Sequence, residues 1–291
     1  MATTKKMTLA NARKELKRLL GNHDYSPLRE DPERTRPALL ALVEQEGDAI
    51  CEALAEAGVL GIVGWQGDVE LVAKLLERGV DPNAVDKPSH GVPGTTPLQA
   101  VTEGIPDDEA KNLAVIELLL AKGASVDALY PPPDVRVSTP RHGPLDNAVK
   151  SQRGRLLEKL LPYASEASRT HALVTAVLQT EGQKSDSGPR KFLTEWIPKL
   201  PVDGAGPMGL SALHAAAIVG DEEVYALVEA HAKEKQPKLA EAVSFTSYSF
   251  PSGPGGGLIP SARFAAGSTP LDVIAPVRAV FVAGRGKFEA A

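Results

Sequence analysis

The segment Val72-Ala73-Lys74-Leu75-Leu76-Glu77-Arg78-Gly79-Val80-Asp81-Pro82-Asn83 returns in altered form as Ile116-Glu117-Leu118-Leu119-Leu120-Ala121-Lys122-Gly123-Ala124-Ser125-Val126-Asp127. A phrase repeated at a spacing of several tens of residues belongs to stacked supersecondary units rather than to one closed core. It limits the chain to repeat architectures before any single residue is weighed.

The apolar content of the echo has a helical period. Val72, Leu75 and Leu76 fall on one face of a helix, and so do Ile116, Leu119 and Leu120. The same spacing occurs at Leu157, Leu160, Leu161, at Leu193, Trp196, Ile197, and at Val224, Leu227, Val228. One short helix cannot bury such a face alone, so neighbouring copies have to cover it. Each triplet helix follows a shorter one made of small residues, as in Leu98 to Val101, Leu145 to Val149, Ala172 to Val177 and Leu213 to Ala217. Small side chains there allow adjacent helices to approach closely.

Thr96-Pro97-Leu98-Gln99-Ala100, Ser211-Ala212-Leu213-His214-Ala215-Ala216 and Ser268-Thr269-Pro270-Leu271-Asp272 resemble the opening of an ankyrin repeat. Gly67-Asp68-Val69-Glu70 and Gly220-Asp221-Glu222-Glu223 resemble the turn between its two helices. The chemistry suits those places: Thr or Ser caps the first helix, Pro fits its first turn, and Gly takes the left-handed conformation after a helix. The expected fold is therefore all-α, an ankyrin-repeat solenoid of divergent helix-turn-helix repeats with extended finger loops and an N-terminal helical cap. The expected divisions are an N-terminal helix and linker over 1–34, a capping hairpin over 35–58, and repeats over 59–291. Within the repeats, finger insertions are expected at 81–95, 125–144 and 242–268. The copies weaken along the chain, because the glycine of Gly79 and Gly123 becomes Ala164, Leu200 and His231.

Thr8 to Leu20 carries an apolar stripe opposite Arg13, Lys14, Lys17 and Arg18, which reads as a packed helix with a solvated basic face. Asp24 to Pro37, rich in charge and proline, reads as a linker, and Thr35 to Ala57 as a helical hairpin broken at Gly47-Asp48.

Composition narrows the function. With a net charge of -5 the chain lacks the electrostatic footprint of a nucleic-acid binder. One cysteine, Cys51, excludes an intrachain disulfide and a multi-cysteine zinc site, and it is expected as a small buried thiol. No segment has the length of a membrane span, so a cytoplasmic protein with no membrane contact is expected. The six histidines show no metal spacing. His214 is expected to tie neighbouring fingers, as the resemblance implies. Gly204-Ala205-Gly206-Pro207-Met208-Gly209 spells a dinucleotide fingerprint, but Pro198 and Pro201 stand where its strand would be. Asp107-Asp108-Glu109 is expected to cap a helix beginning near Ala110. No catalytic constellation is legible, so no enzyme activity, cofactor or metal is expected.

The fingers hold the residue types that make contacts. Phe245, Tyr248, Phe250, Arg263 and Phe264 gather in the longest finger, in a chain with few aromatics. They form either a binding element or a C-terminal cap. Tyr130, Arg136, Arg141 and His142 in the second finger, with Lys87 and His90 in the first, are candidates for a basic contact strip. Trp65 follows the first small-residue helix and either lies on the concave surface or packs on Leu60. The resemblance implies a module that binds another protein through its fingers and concave helices. The alternatives are an immunity-type inhibitor of one cognate enzyme or toxin, and an enzyme or small-molecule binder with a pocket under 242–268.

Overall fold

A computed structural model describes residues 7–20, 32–45, 48–86, 94–103, 108–128, 142–202, 211–235, 248–249 and 263–264. The chain divides into two compact units, Met1–Asn147 and Ala148–Ala291. Among the described residues the architecture is all-α apart from one two-residue strand pair, and it is built from successive helix pairs, as the repeated phrases imply.

The first unit opens with α1 (Leu9–Leu20), α2 (Pro32–Val43) and α3 (Asp48–Glu56). The stripe of α1 buries Ala12, Leu16, Leu19 and Leu20 against the next two helices, while Arg13 reaches Glu56 at 2.5 Å on the solvated side. Pro32 to Pro37, expected as linker, is helical. Burial of Leu39, Leu42 and Val43 holds α2 together despite the backbone hydrogen bond that Pro37 removes. Cys51 on α3 is half-buried rather than buried, and its thiol donates to the carbonyl of Arg78 at 3.4 Å.

Two helix pairs follow, α4 (Val59–Trp65) with α5 (Val69–Glu77), and α6 (Pro97–Glu103) with α7 (Glu109–Ala121). Inner helix α4 packs on inner helix α6, and outer α5 on outer α7. A Cβ on Gly61 would stand 3.0 Å from that of Ala100, so glycine there lets the inner helices come this close. Val72, Leu75, Ile116 and Leu119 of the triplets are fully buried, each burial contributing about 1.5–3 kcal/mol. Gly79 and Gly123 take φ of 94° and 85° after the outer helices, the left-handed stop expected of them. Asp108 caps α7 by accepting from the amides of Ala110 and Lys111, as its acidic cluster implies.

Helix α8 (Pro144–Lys150) leads into the second unit, which holds α9 (Gly154–Leu160), α10 (Glu166–Leu178), α11 (Gly188–Trp196), α12 (Ala212–Val219) and α13 (Glu222–Lys235). Inner α10 packs on inner α12. Here the glycine stop has been replaced. Helices α9 and α11 tighten into 3-10 turns, Leu161–Tyr163 and Ile197–Lys199, around Pro162 and Pro198, and leave through extended Ala164 and Leu200. No left-handed residue is needed on such a path, which is why glycine is missing there. Gln152 stands in the turn between α8 and α9 with φ 54°, where the corresponding turns use Gly67 and Gly220. Strands β1 (Tyr248–Ser249) and β2 (Arg263–Phe264) pair antiparallel.

Candidate functional site

The helix starts show how the inner face is held. Thr96 and Gln99 exchange capping bonds: the Thr96 amide donates to Gln99 Oε1 at 3.0 Å and the Gln99 amide to Thr96 Oγ1 at 3.3 Å. Ser211 and His214 form the same box, with Nδ1 of the ring 2.8 Å from the serine hydroxyl. At α8 the Gly143 amide donates to Asp146 at 2.6 Å. One place in the motif is thus filled by Gln, Asp and His, three side chains that share a reachable acceptor.

Two side-chain amides in the first unit tie onto the second finger, one from a helix and one from the first finger. Gln99 Nε2 donates to the Ala128 carbonyl at 2.8 Å. Asn83 donates to the Gly123 carbonyl at 2.8 Å and accepts from the Ser125 amide at 2.7 Å, bridging the first finger to the second. His214, expected to tie fingers, closes the helix-start box with Ser211, and in the first unit the finger-to-finger bridge comes from Asn83.

Outer-helix caps are locked by arginine. Asp68 caps α5 through the Leu71 amide and receives Arg36 Nε at 2.6 Å, while Arg36 also reaches Glu70 at 2.7 Å. The second unit repeats this: Asp221 accepts from the amides of Glu223 and Val224 and pairs with buried Arg190, which also lies 3.7 Å from Glu223. Burial alone would push both aspartic acids up, but the guanidinium and the helix amides outweigh it and hold both carboxyls below their usual range. These pairs join one helix layer to the next and leave the inner face free for contacts.

A groove of about 370 Å³ lies on that inner face in the first unit. Its long walls are the facing stripes of α4 and α6, with Gly61, Ile62 and Trp65 on one side and Pro97, Ala100 and Glu103 on the other. The finger segment closes one end with Ala84, Asp86 and Thr95. Backbone and side chain fasten that segment: the Asp86 amide donates to the Thr95 carbonyl at 3.2 Å, and the Thr95 amide donates to Asp86 Oδ1. Trp65 is 38% exposed, whereas Leu60 on the same helix is 1% exposed. Trp65 and Glu103, the last residues of these two inner helices, line the end of the groove away from the finger, its mouth.

Of the other expected contact residues, Lys87, His90, Tyr130, Arg136, Arg141, Phe245 and Phe250 lie outside the described residues. The Gly204 to Gly209 fingerprint does too, and so does most of 242–268. His142 is half-buried just before α8. The strand pair sets Tyr248 opposite Phe264 and Ser249 opposite Arg263 along the backbone. Asp86, Ile62 and Glu103 were missed. Asp86 had a signal in retrospect, since an acid placed where a finger returns to the next helix start is well positioned to cap the turn.

Among the described residues no group of His, Cys, Asp and Glu could hold a metal ion, and no helix is long and apolar enough to cross a membrane.

None of the family models and none of the curated proteins compared with this chain matches it. Among solved structures, the human ASB11 ankyrin repeat domain is similar at 21% identity, covering 96% of this chain and 98% of that one, with a TM-score of 0.43.

Proposed function

We propose that this protein is an interaction module that seats a segment of another protein in the groove between α4 and α6. The observation that carries the reading is the groove itself, about 370 Å³ of mostly apolar wall with an exposed tryptophan at its mouth. Exposed aromatics at a concave surface supply large contact area with few torsions to freeze, and tryptophan is among the residues that dominate binding energy. The walls are preformed. Gly61 against Ala100 fixes the helix separation, and Asn83 and Asp86 fix the finger, so little ordering accompanies binding. The fingers extend the same surface in this reading, and a cytoplasmic setting suits the lone cysteine.

Panning a displayed library of short random peptides against the full chain tests the proposal. Selected peptides should lose at least about tenfold in affinity on Trp65→Ala, since truncating a tryptophan anchor costs about 2 kcal/mol or more. Unchanged affinity in a variant with the wild-type circular-dichroism spectrum would refute it.

A further inference from the structure

We infer that the groove between α4 and α6 selects a cationic side chain, a lysine or arginine of the bound segment, and that Asp86 is the group that receives it. The inference rests on the proposed binding groove and adds its chemistry.

The charged lining residues of the groove are Asp86 and Glu103, both acidic. Neither makes an ion pair among the described residues. Asp86 is held in place. Its Oδ1 accepts the Thr95 amide, and its Oδ2 lies over Gly58, where a Cβ would come within 3.0 Å. Elsewhere the pattern differs, because Asp68 and Asp221 both receive an arginine. Of these three fixed aspartates, only Asp86 faces an open groove with no cation among the described residues, and burial pushes its carboxyl up although the Thr95 amide pulls the other way. A desolvated carboxylate with no counter-ion is unfavourable, and an incoming cation removes that penalty.

The shape matches the same ligand. From Thr96 at the finger end to Glu103 at the mouth, α6 rises about 10 Å, which gives a long side chain room to lie along the groove toward Asp86. Ile62, Pro97 and Ala100 offer apolar wall to the methylene stem, which long cationic side chains cover readily. Trp65 lines the same groove, and an indole ring attracts cations. The net charge of -5 draws a basic segment toward the protein at long range.

The test uses four peptide libraries, randomised except for one fixed central position that is Lys, Arg, norleucine or Glu, offered to the full-length protein and to Asp86→Asn. Asparagine keeps the acceptor for the Thr95 amide, so the finger stays fastened, and an unchanged unfolding midpoint verifies this. Retention of the Lys or Arg library should exceed that of norleucine by about tenfold, equivalent to about 1.4 kcal/mol, and the excess should vanish in Asp86→Asn. Equal retention of lysine and norleucine, or an excess that survives Asp86→Asn, overturns the cation assignment and leaves the groove reading standing. Preference for Glu overturns it likewise. If no library is retained, the groove reading fails and this inference with it.

Discussion

Replacing Asp221 by Asn should destabilise the second unit far more than replacing its partner Arg190 by Met. The two side chains differ in exposure, 9% for Arg190 against 30% for Asp221. The introduced asparagine would still cap α13, because asparagine is as good a cap as aspartate, so Asp221→Asn isolates the charge. It strands a buried guanidinium whose remaining acid, Glu223, lies 3.7 Å away and is 72% exposed. Removing one partner of a buried pair costs about 3–5 kcal/mol; the partial exposure of Asp221 argues for the lower end, about 3 kcal/mol. Arg190→Met removes the charge together with an Nε that has no hydrogen-bond partner. The stem volume stays, and Asp221 keeps two helix amides and a share of water, so the expected cost is about 1 kcal/mol. Urea unfolding in a Trp65→Phe background reads this directly, since Trp196 then remains as the single tryptophan and sits on α11 with Arg190. The folded carboxyl is held below its unfolded value, so its contribution is present above about pH 4 and disappears as pH falls further. The difference between wild type and Asp221→Asn should shrink in that range. A cost for Arg190→Met equal to or above that for Asp221→Asn would refute the reasoning.

Two smaller perturbations test other parts of the frame. Gln152→Gly should stabilise the second unit by about 0.5 kcal/mol, because a non-glycine residue at positive φ costs about 1–2 kcal/mol and the added chain entropy of glycine takes back only part of it; a lowered urea midpoint would contradict this. Asn83→Ala should cost about 1–2 kcal/mol for two lost bonds, and amide exchange at Ser125 should quicken; unchanged exchange there would show that the fingers are held by something else.

Much of the frame was legible in the chain because local physics wrote it. Apolar triplets at helical spacing, the cap at Asp108 and the left-handed glycines at Gly79 and Gly123 depend on residues within a few positions of one another. Features that depend on stacking were not legible. Arg36 meets Asp68, and Arg190 meets Asp221, across more than thirty residues, so neither pair stands out until the outer helix of one repeat is set against the cap of the next. The recurrence itself was the missed clue. Likewise Asp86 looks like any finger acid until the segment it sits on is seen to close a groove. Pro37 misled because its helix is decided by the burial of Leu39 and Leu42, a tertiary gain that a local rule does not count.

The groove between α4 and α6 is the centre of the account, and the two indole N–H resonances of the nitrogen-labelled protein test it most directly. Trp65 is 38% exposed at the groove mouth, whereas Trp196 is 1% exposed beneath Lys199, whose Nζ lies 3.9 Å from the ring centre. Titration with a peptide selected on the wild-type protein should move the Trp65 indole signal in step with the fraction bound and leave that of Trp196 in place. Saturating binding that moves neither signal would place the contact surface elsewhere and contradict the account.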